Sequence, residues 1–169
     1  VRGTECALCS DLPTGPRSDI LASSSNSASL IRNPGIPGPG ITIDGKRLST
    51  FSHAHWSSRQ PVDSALVIAE PFSGFKDGAG LIENQVAGKV VVIAHGDGSF
   101  VSKAICAQDA GAVGVIITNN DNENPGEILD MGGEGETVRI PIVMVSYNDG
   151  LRIKALGTGA SITINPGQC

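Results

Sequence analysis

Apolar positions in the second half of the chain fall into short runs separated by glycine. Lys89 to Ala94 contains an unbroken Val-Val-Val-Ile, the pattern of a strand covered on both faces. Val113-Gly-Val-Ile-Ile117 repeats it after a gap that reads as a helix. Across that gap Phe100, Ala104, Ala107 and Gly111 recur at i, i+4, i+7 and i+11, with Ile105 beside them, predicting a helix from Ser99 to Ala110. Ser99 is its expected N-cap and Gly111 its left-handed stop. Ser102, Lys103, Cys106 and Asp109 then fall on the opposite, outward face. Lys103 near the start and Asp109 near the end both have the unfavourable sign for the helix dipole.

The same reading extends outward from this β-turn-α-β core. Thr50-Phe-Ser-His-Ala-His-Trp56 alternates as a strand with Phe51, His53 and His55 on one face, and Ala65-Leu-Val-Ile-Ala69 is a compact strand ended by Glu70-Pro71. Asn119 to Glu136 is a polar, Gly-rich loop, followed by a strand at Ile140-Pro-Ile-Val-Met-Val145. Ser146-Tyr-Asn-Asp149 resembles a capping box and opens a helix through Leu156, which Gly157 and Gly159 end. Ala160-Ser-Ile-Thr-Ile164 closes the chain's regular structure. Two helices and about six or seven strands with short connections predict an α+β domain with a β-rich core, not a doubly wound sheet.

Residues 1–44 differ from the rest. Ser23 to Ser29 is a polar low-complexity run, and Asn33-Pro-Gly-Ile-Pro-Gly-Pro-Gly40 cannot form a helix or a central strand. This segment is read as an extended N-terminal arm, anchored by Leu30, Ile31, Ile41 and Ile43, ahead of a domain at 45–169. O-linked sugar on Ser23, Ser24 or Ser25, or on Pro34, Pro37 or Pro39 if hydroxylated, is an expectation from composition. No N-x-S/T acceptor is present.

Composition narrows the partners. Twelve basic against 17 acidic residues give a net charge of -5, which argues against nucleic acid. No apolar run is long enough to span a bilayer, so membrane insertion is not expected. Gly is 22 of 169 residues and aromatics only 4%, in keeping with turn-rich β structure. The chain begins at Val1, so a mature or excised fragment is expected, its signal peptide removed or never present. Cys6, Cys9, Cys106 and Cys169 are an even set with three near the ends. They suit disulfides in an oxidising compartment, with three possible pairings. Cys6-Ala-Leu-Cys9 precedes a Pro/Gly turn instead of opening a helix after a strand, against a redox motif. No second C-x-x-C exists to complete a zinc site.

Several motifs in order resemble a known family. The strand GKVVVIA leads through a turn to Phe100; Lys103-Ala104 and Ala107-Gln108 precede Ala110-Gly-Ala112; Val113 to Ile117 ends at Asn119-Asn120. Ile140-Pro-Ile-Val, Gly150 to Leu156 and Ala160 to Ile164 follow. This series is similar to the protease-associated (PA) domain, over roughly Ala65 to Ile164. The resemblance implies a β-sandwich or barrel-like body flanked by helices. It also implies a module that holds or presents other proteins without chemistry of its own. In proteases such modules are insertions beside the catalytic domain; in sorting receptors and membrane ubiquitin ligases they face the lumen or exterior. Many members carry a cysteine where this chain has Gly98, with a partner near the position of Gly74. Both halves of that staple are missing here.

Candidate chemistry is sparse. Gly96-Asp-Gly-Ser99 lacks the nucleophile elbow, and Ser99, His95 and Asp97 crowd one turn, so no catalytic residue is assigned. His53, His55 and His95 are read as ordinary surface or edge histidines, not metal ligands. Asp121, Glu123, Glu127, Asp130, Glu134 and Glu136 do not fit the EF-hand spacing. Neither a P-loop nor a dinucleotide fingerprint is present, and no cofactor is expected.

The expected function is therefore a non-catalytic protein-interaction module, extracellular or in the secretory lumen. Its contact loop would include Asn119, Asn120, Asp121, Glu123, Glu127 and Asp130. Two alternatives are a structural subunit of an extracellular assembly or filament, whose arm contacts copies of itself, and an accessory fragment of a larger protease.

Overall fold

A computed structural model describes residues 39–48, 50–76, 79–80 and 82–167. Cys6, Cys9, Cys169, Ser23, Ser24, Ser25, Pro34 and Pro37 lie outside the described residues, as do Leu30 and Ile31. The strands are β1 (Gly40–Ile43), β2 (Lys46–Leu48), β3 (Ser52–His53), β4 (Val62–Ile68), β5 (Phe75–Lys76), β6 (Ala79–Gly80), β7 (Val90–Ala94), β8 (Gly114–Thr118), β9 (Ile142–Val145) and β10 (Ser161–Asn165). The helices are α1 (Phe100–Asp109) and α2 (Tyr147–Leu156).

Eight strands form one mixed sheet in the order β2-β1-β10-β4-β7-β8-β9-β3, and β5 with β6 makes a separate small hairpin. The valine and isoleucine runs supply the parallel core β4-β7-β8-β9. Around it, β2, β1 and β10 run antiparallel on one side and β3 on the other. β4 serves two partners: Val62 to Ala65 pair with β10, and Leu66 to Ile68 with β7. The sheet therefore changes neighbour within one strand. Ile164 of β10 packs among the same buried residues as Val90 and Ile116.

Alternation along the strands divides the core into two layers. Val67, Val91, Ile93, Val115, Ile117 and Met144 meet Ala104 and Ala107 of α1. Leu66, Val92, Ile116 and Val145 meet Ile153 of α2 and Ile41, Ile43 and Ile162 of the antiparallel strands. Ile41 and Ile43, expected as anchors of the arm, are thus β1 residues of the sheet, and the compact unit runs Pro39–Gly167. The boundary expected at 44/45 falls in the β1–β2 turn, because Ile41 and Ile43 pair with Ile164 and Ile162.

Both helices start and stop as their sequences predict. Ser99 Oγ accepts the Ser102 amide at 3.0 Å. Gly111, at φ +93°, donates its amide to Gln108 O while Ala112 N bonds Ala107 O, a Schellman closure. Ser146 Oγ caps α2 through the Asp149 amide at 3.2 Å, and the Asp149 carboxylate pairs with Arg152. α2 lies so close to β8 that a Cβ on Gly150 would stand 2.8 Å from Thr118 Cβ.

Two expectations need correcting. The strand predicted over Thr50 to Trp56 shrinks to Ser52–His53, because the chain turns at His55 and Trp56 and Ser57 N bonds back to Ala54 O. His53 and His55 consequently do not share a strand face. Lys103, placed outward by helical spacing, is 0% exposed. Ser73 and the β5–β6 hairpin, which periodicity does not reveal, cover Lys103 on that face of α1, while Ser102 and Asp109 stay exposed. Lys103 Nζ donates to the Ser73 carbonyl oxygen and lies 4.9 Å from the Phe75 ring centroid.

Candidate interaction surface

In sheets with a parallel core, ligands gather outside the carboxyl ends of the strands. Here those ends carry the turn after β4, the His95 to Ser99 turn after β7, the long loop 119–139 after β8, and the start of α2 after β9.

The β7 turn is organised by Asn120, whose Nδ2 donates to His95 O at 3.1 Å and whose Oδ1 lies 3.2 Å from His95 Nδ1. The imidazole also stacks on Phe100, with 5.2 Å between ring centroids. Ser99 Oγ is occupied by the Ser102 amide and hydroxyl. Ser99 and His95 therefore share no hydrogen bond, and the neighbouring Ser, His and Asp of this turn do not line up as a nucleophile with its base.

Loop 119–139 is tied down along its length. Asn119, 2% exposed, donates its amide group to Glu127 O at 3.1 Å and accepts the Asp121 amide at 3.2 Å. Asp121 accepts the amides of Glu123 (2.8 Å) and Asn124 (3.3 Å) and the Asn124 side chain (2.8 Å). The Asn124 side-chain bond, then the Glu123 amide, hold the Asp121 carboxyl below the ordinary aspartate range. Further along, Ser52 Oγ donates to Leu129 O at 3.0 Å and Trp56 Nε1 to Met131 O at 3.2 Å, and the Met131 and Val138 side chains are buried in the core. Gln108 on α1 closes the stem: its Nε2 donates to Thr137 O at 2.9 Å and its Oε1 accepts the Arg139 amide at 2.6 Å.

These contacts sort the six expected loop residues. Asn119 is buried and structural, Asn120 holds the β7 turn, and Asp121 is spent on its own turn. Glu123, Glu127 and Asp130 project into solvent. The braces Gln108 and Trp56 were not expected. Gln108 carries a signal only in hindsight, as a polar residue on the flank of α1's buried stripe.

A concavity of about 530 Å³ opens between α1 and the β5–β6 hairpin. Phe75, Gly80, Ser102, Ile105, Cys106 and Asp109 line it. Burial pushes the Cys106 thiol up from its ordinary pKa, Asp109 adds to the shift, and Lys103 opposes it. Cys106 carries no disulfide among the described residues. The missing staple also has a structural counterpart here. A Cβ on Gly98 would run into the Phe75 ring, and Gly74 is closed in by Ile93. Aromatic packing fills the space at position 98.

Burial, followed by the positive charge of Arg59 and the proximity of His55, lowers the His53 pKa. Among the described residues no group of three or more His, Cys, Asp or Glu side chains is placed to hold a metal ion. No helix among them is long and apolar enough to cross a membrane.

The family model for the PA domain matches residues 62–153, more than half of the chain and the whole of its parallel core. The chain belongs to the protease-associated domain family. This PA unit is 33% identical over 126 residues to the Subtilisin-like protease SBT1.6 of Arabidopsis thaliana, covering 70% of this chain and 15% of that protein. It is 28% identical over 96 residues to Signal peptide peptidase-like 2 of the same plant, covering 57% of this chain and 17% of the relative. Among solved structures it is similar to an aminopeptidase from Aneurinibacillus sp. strain AM-1, with a TM-score of 0.58 and 23% identity over 76% of this chain and 31% of that one. The subtilisin-like protease Apa1 of Pseudoalteromonas sp. AS-11 follows, with a TM-score of 0.56 and 19% identity over 75% of this chain and 32% of the other. The structural likenesses establish the fold. The chain spans less than a fifth of the curated relatives and about a third of the solved ones.

Proposed function

We propose that this PA unit is a non-catalytic protein- or peptide-binding module that works beside a peptidase domain in the secretory lumen or outside the cell. The observation that carries the reading is the braced loop 119–139. Its backbone is fixed by Asn119, Gln108 and Trp56, while Glu123, Glu127 and Asp130 face solvent. A loop ordered before binding loses less entropy when a partner docks. The relatives, one named as a subtilisin-like protease and one as signal peptide peptidase-like, are each several times longer than this chain and support the accessory role. The four cysteines support an oxidising compartment. The alternative of an assembly subunit depends on the segment before Pro39, which lies outside the described residues.

Peptides selected from a displayed random library on the full, unreduced chain test the reading. Changing Glu123, Glu127 and Asp130 together to their amides is expected to weaken the selected peptides at least tenfold. Gln108→Ala is expected to weaken them less, by loosening the loop stem. Undiminished binding by the triple variant would remove the loop as the contact surface. Cleavage of those peptides by the purified chain would overturn the non-catalytic reading.

A further inference from the structure

The groove between α1 and the β5–β6 hairpin combines an apolar wall with one charge that no described residue compensates. Phe75, Ile105 and Cys106 supply the apolar surface, and Gly80 keeps the hairpin side low: a Cβ there would lie 3.4 Å from the Cys106 side chain. Asp109 stands at the rim, in the last turn of α1, where exposed carbonyls make a negative charge unfavourable. It is exposed and makes no hydrogen bond or ion pair among the described residues. Lys103, the nearest buried cation on the helix, directs its ammonium to the Ser73 carbonyl and the Phe75 ring. No basic residue occurs in the last turn of α1. The groove is large enough for a side chain, since its volume falls in the range of small-ligand sites, roughly 300–1,000 Å³.

A long aliphatic stem with a cationic head complements this surface on both counts. We propose that the groove seats a lysine or arginine side chain of a partner polypeptide, its stem against Phe75, Ile105 and Cys106 and its head on Asp109. The inference rests on the binding-module reading but uses a surface distinct from loop 119–139. An acidic or purely apolar side chain would leave Asp109 opposed or unpaired at an unfavourable helix end.

The test titrates the full chain at low ionic strength with acetyl-Gly-Gly-Lys-Gly-Gly-amide, its arginine counterpart and its norleucine counterpart. The readout is amide shifts of Gly80, Ile105 and Cys106, together with protection of Cys106 from iodoacetamide by peptide mapping. The lysine and arginine peptides are expected to bind at least fivefold tighter than the norleucine peptide. The preference should shrink at 0.5 M salt and vanish in Asp109→Asn, an exposed substitution that keeps the fold, as an unchanged melting curve verifies. Shifts confined to other residues, equal binding of norleucine, or a preference surviving in Asp109→Asn would overturn the proposal. The two readings fail separately. Loop-dependent binding of selected peptides with no response to these probes overturns the groove alone. A groove response unaffected by the triple loop variant upholds the groove without the loop.

Discussion

Lys103 shows how one residue's environment departs from its helical position. Its spacing on α1 places it with Ser102, Cys106 and Asp109, yet it is wholly covered and its ammonium is spent on Ser73 O and Phe75. Burial lowers its pKa from 10.5 to about 8, against the raising influence of Asp97 and Cys106. Between those values the unfolded chain holds a proton that the folded chain has released, so stability rises with pH. Compared with Lys103→Met, the unaltered protein should gain on the order of 2 kcal/mol between pH 8 and pH 10.5. Urea unfolding of both proteins at the two pH values measures the difference. A parallel pH dependence would mean that Lys103 titrates normally in the folded state.

At the scale of elements, the β5–β6 hairpin and α1 hold each other through Phe75. The ring packs on Gly98, which has no room for a side chain, and it faces the Lys103 ammonium. Gly98→Ala is expected to cost about 1–3 kcal/mol through overpacking. Combined with Phe75→Ala the cost should be far less than additive, because the second change removes the atom that the new Cβ meets. A thermal double-mutant cycle gives the coupling directly, and strict additivity would place the strain elsewhere. The staple that many family members have at this position is a sequence feature. Its replacement by an aromatic ring is a packing feature, since Phe75 lies 23 residues from Gly98 in a segment without periodicity.

For the molecule as a whole, the two core layers share the strands β4, β7, β8 and β9, so they cannot separate without breaking the sheet. Ile164, fully buried against α2's side of the sheet, lies in the layer that does not contain Trp56, the chain's single tryptophan. Ile164→Ala is expected to lower stability by about 2–5 kcal/mol and to shift the Trp56 fluorescence and far-UV circular dichroism transitions together. A fluorescence transition left in place while the dichroism moves would mean that the layers unfold independently.

The sequence by itself determined the central β-α-β unit, the caps at Ser99 and Ser146, the stop at Gly111 and the family. Each of these depends on neighbours within a turn or on apolar runs that have one strand-like interpretation. Glu123, Glu127 and Asp130 were legible as exposed acids from the polar, Gly-rich composition of the stretch Asn119 to Glu136. Tertiary structure alone decided that β4 divides its pairing between β10 and β7, and that Ile41 and Ile43 join the sheet. It also turned Asn119 inward, set Gln108 as the brace of the long loop, and laid the hairpin over Lys103. Those outcomes join residues from 8 to more than 100 positions apart, through hydrogen bonds and packing that have no period along the chain.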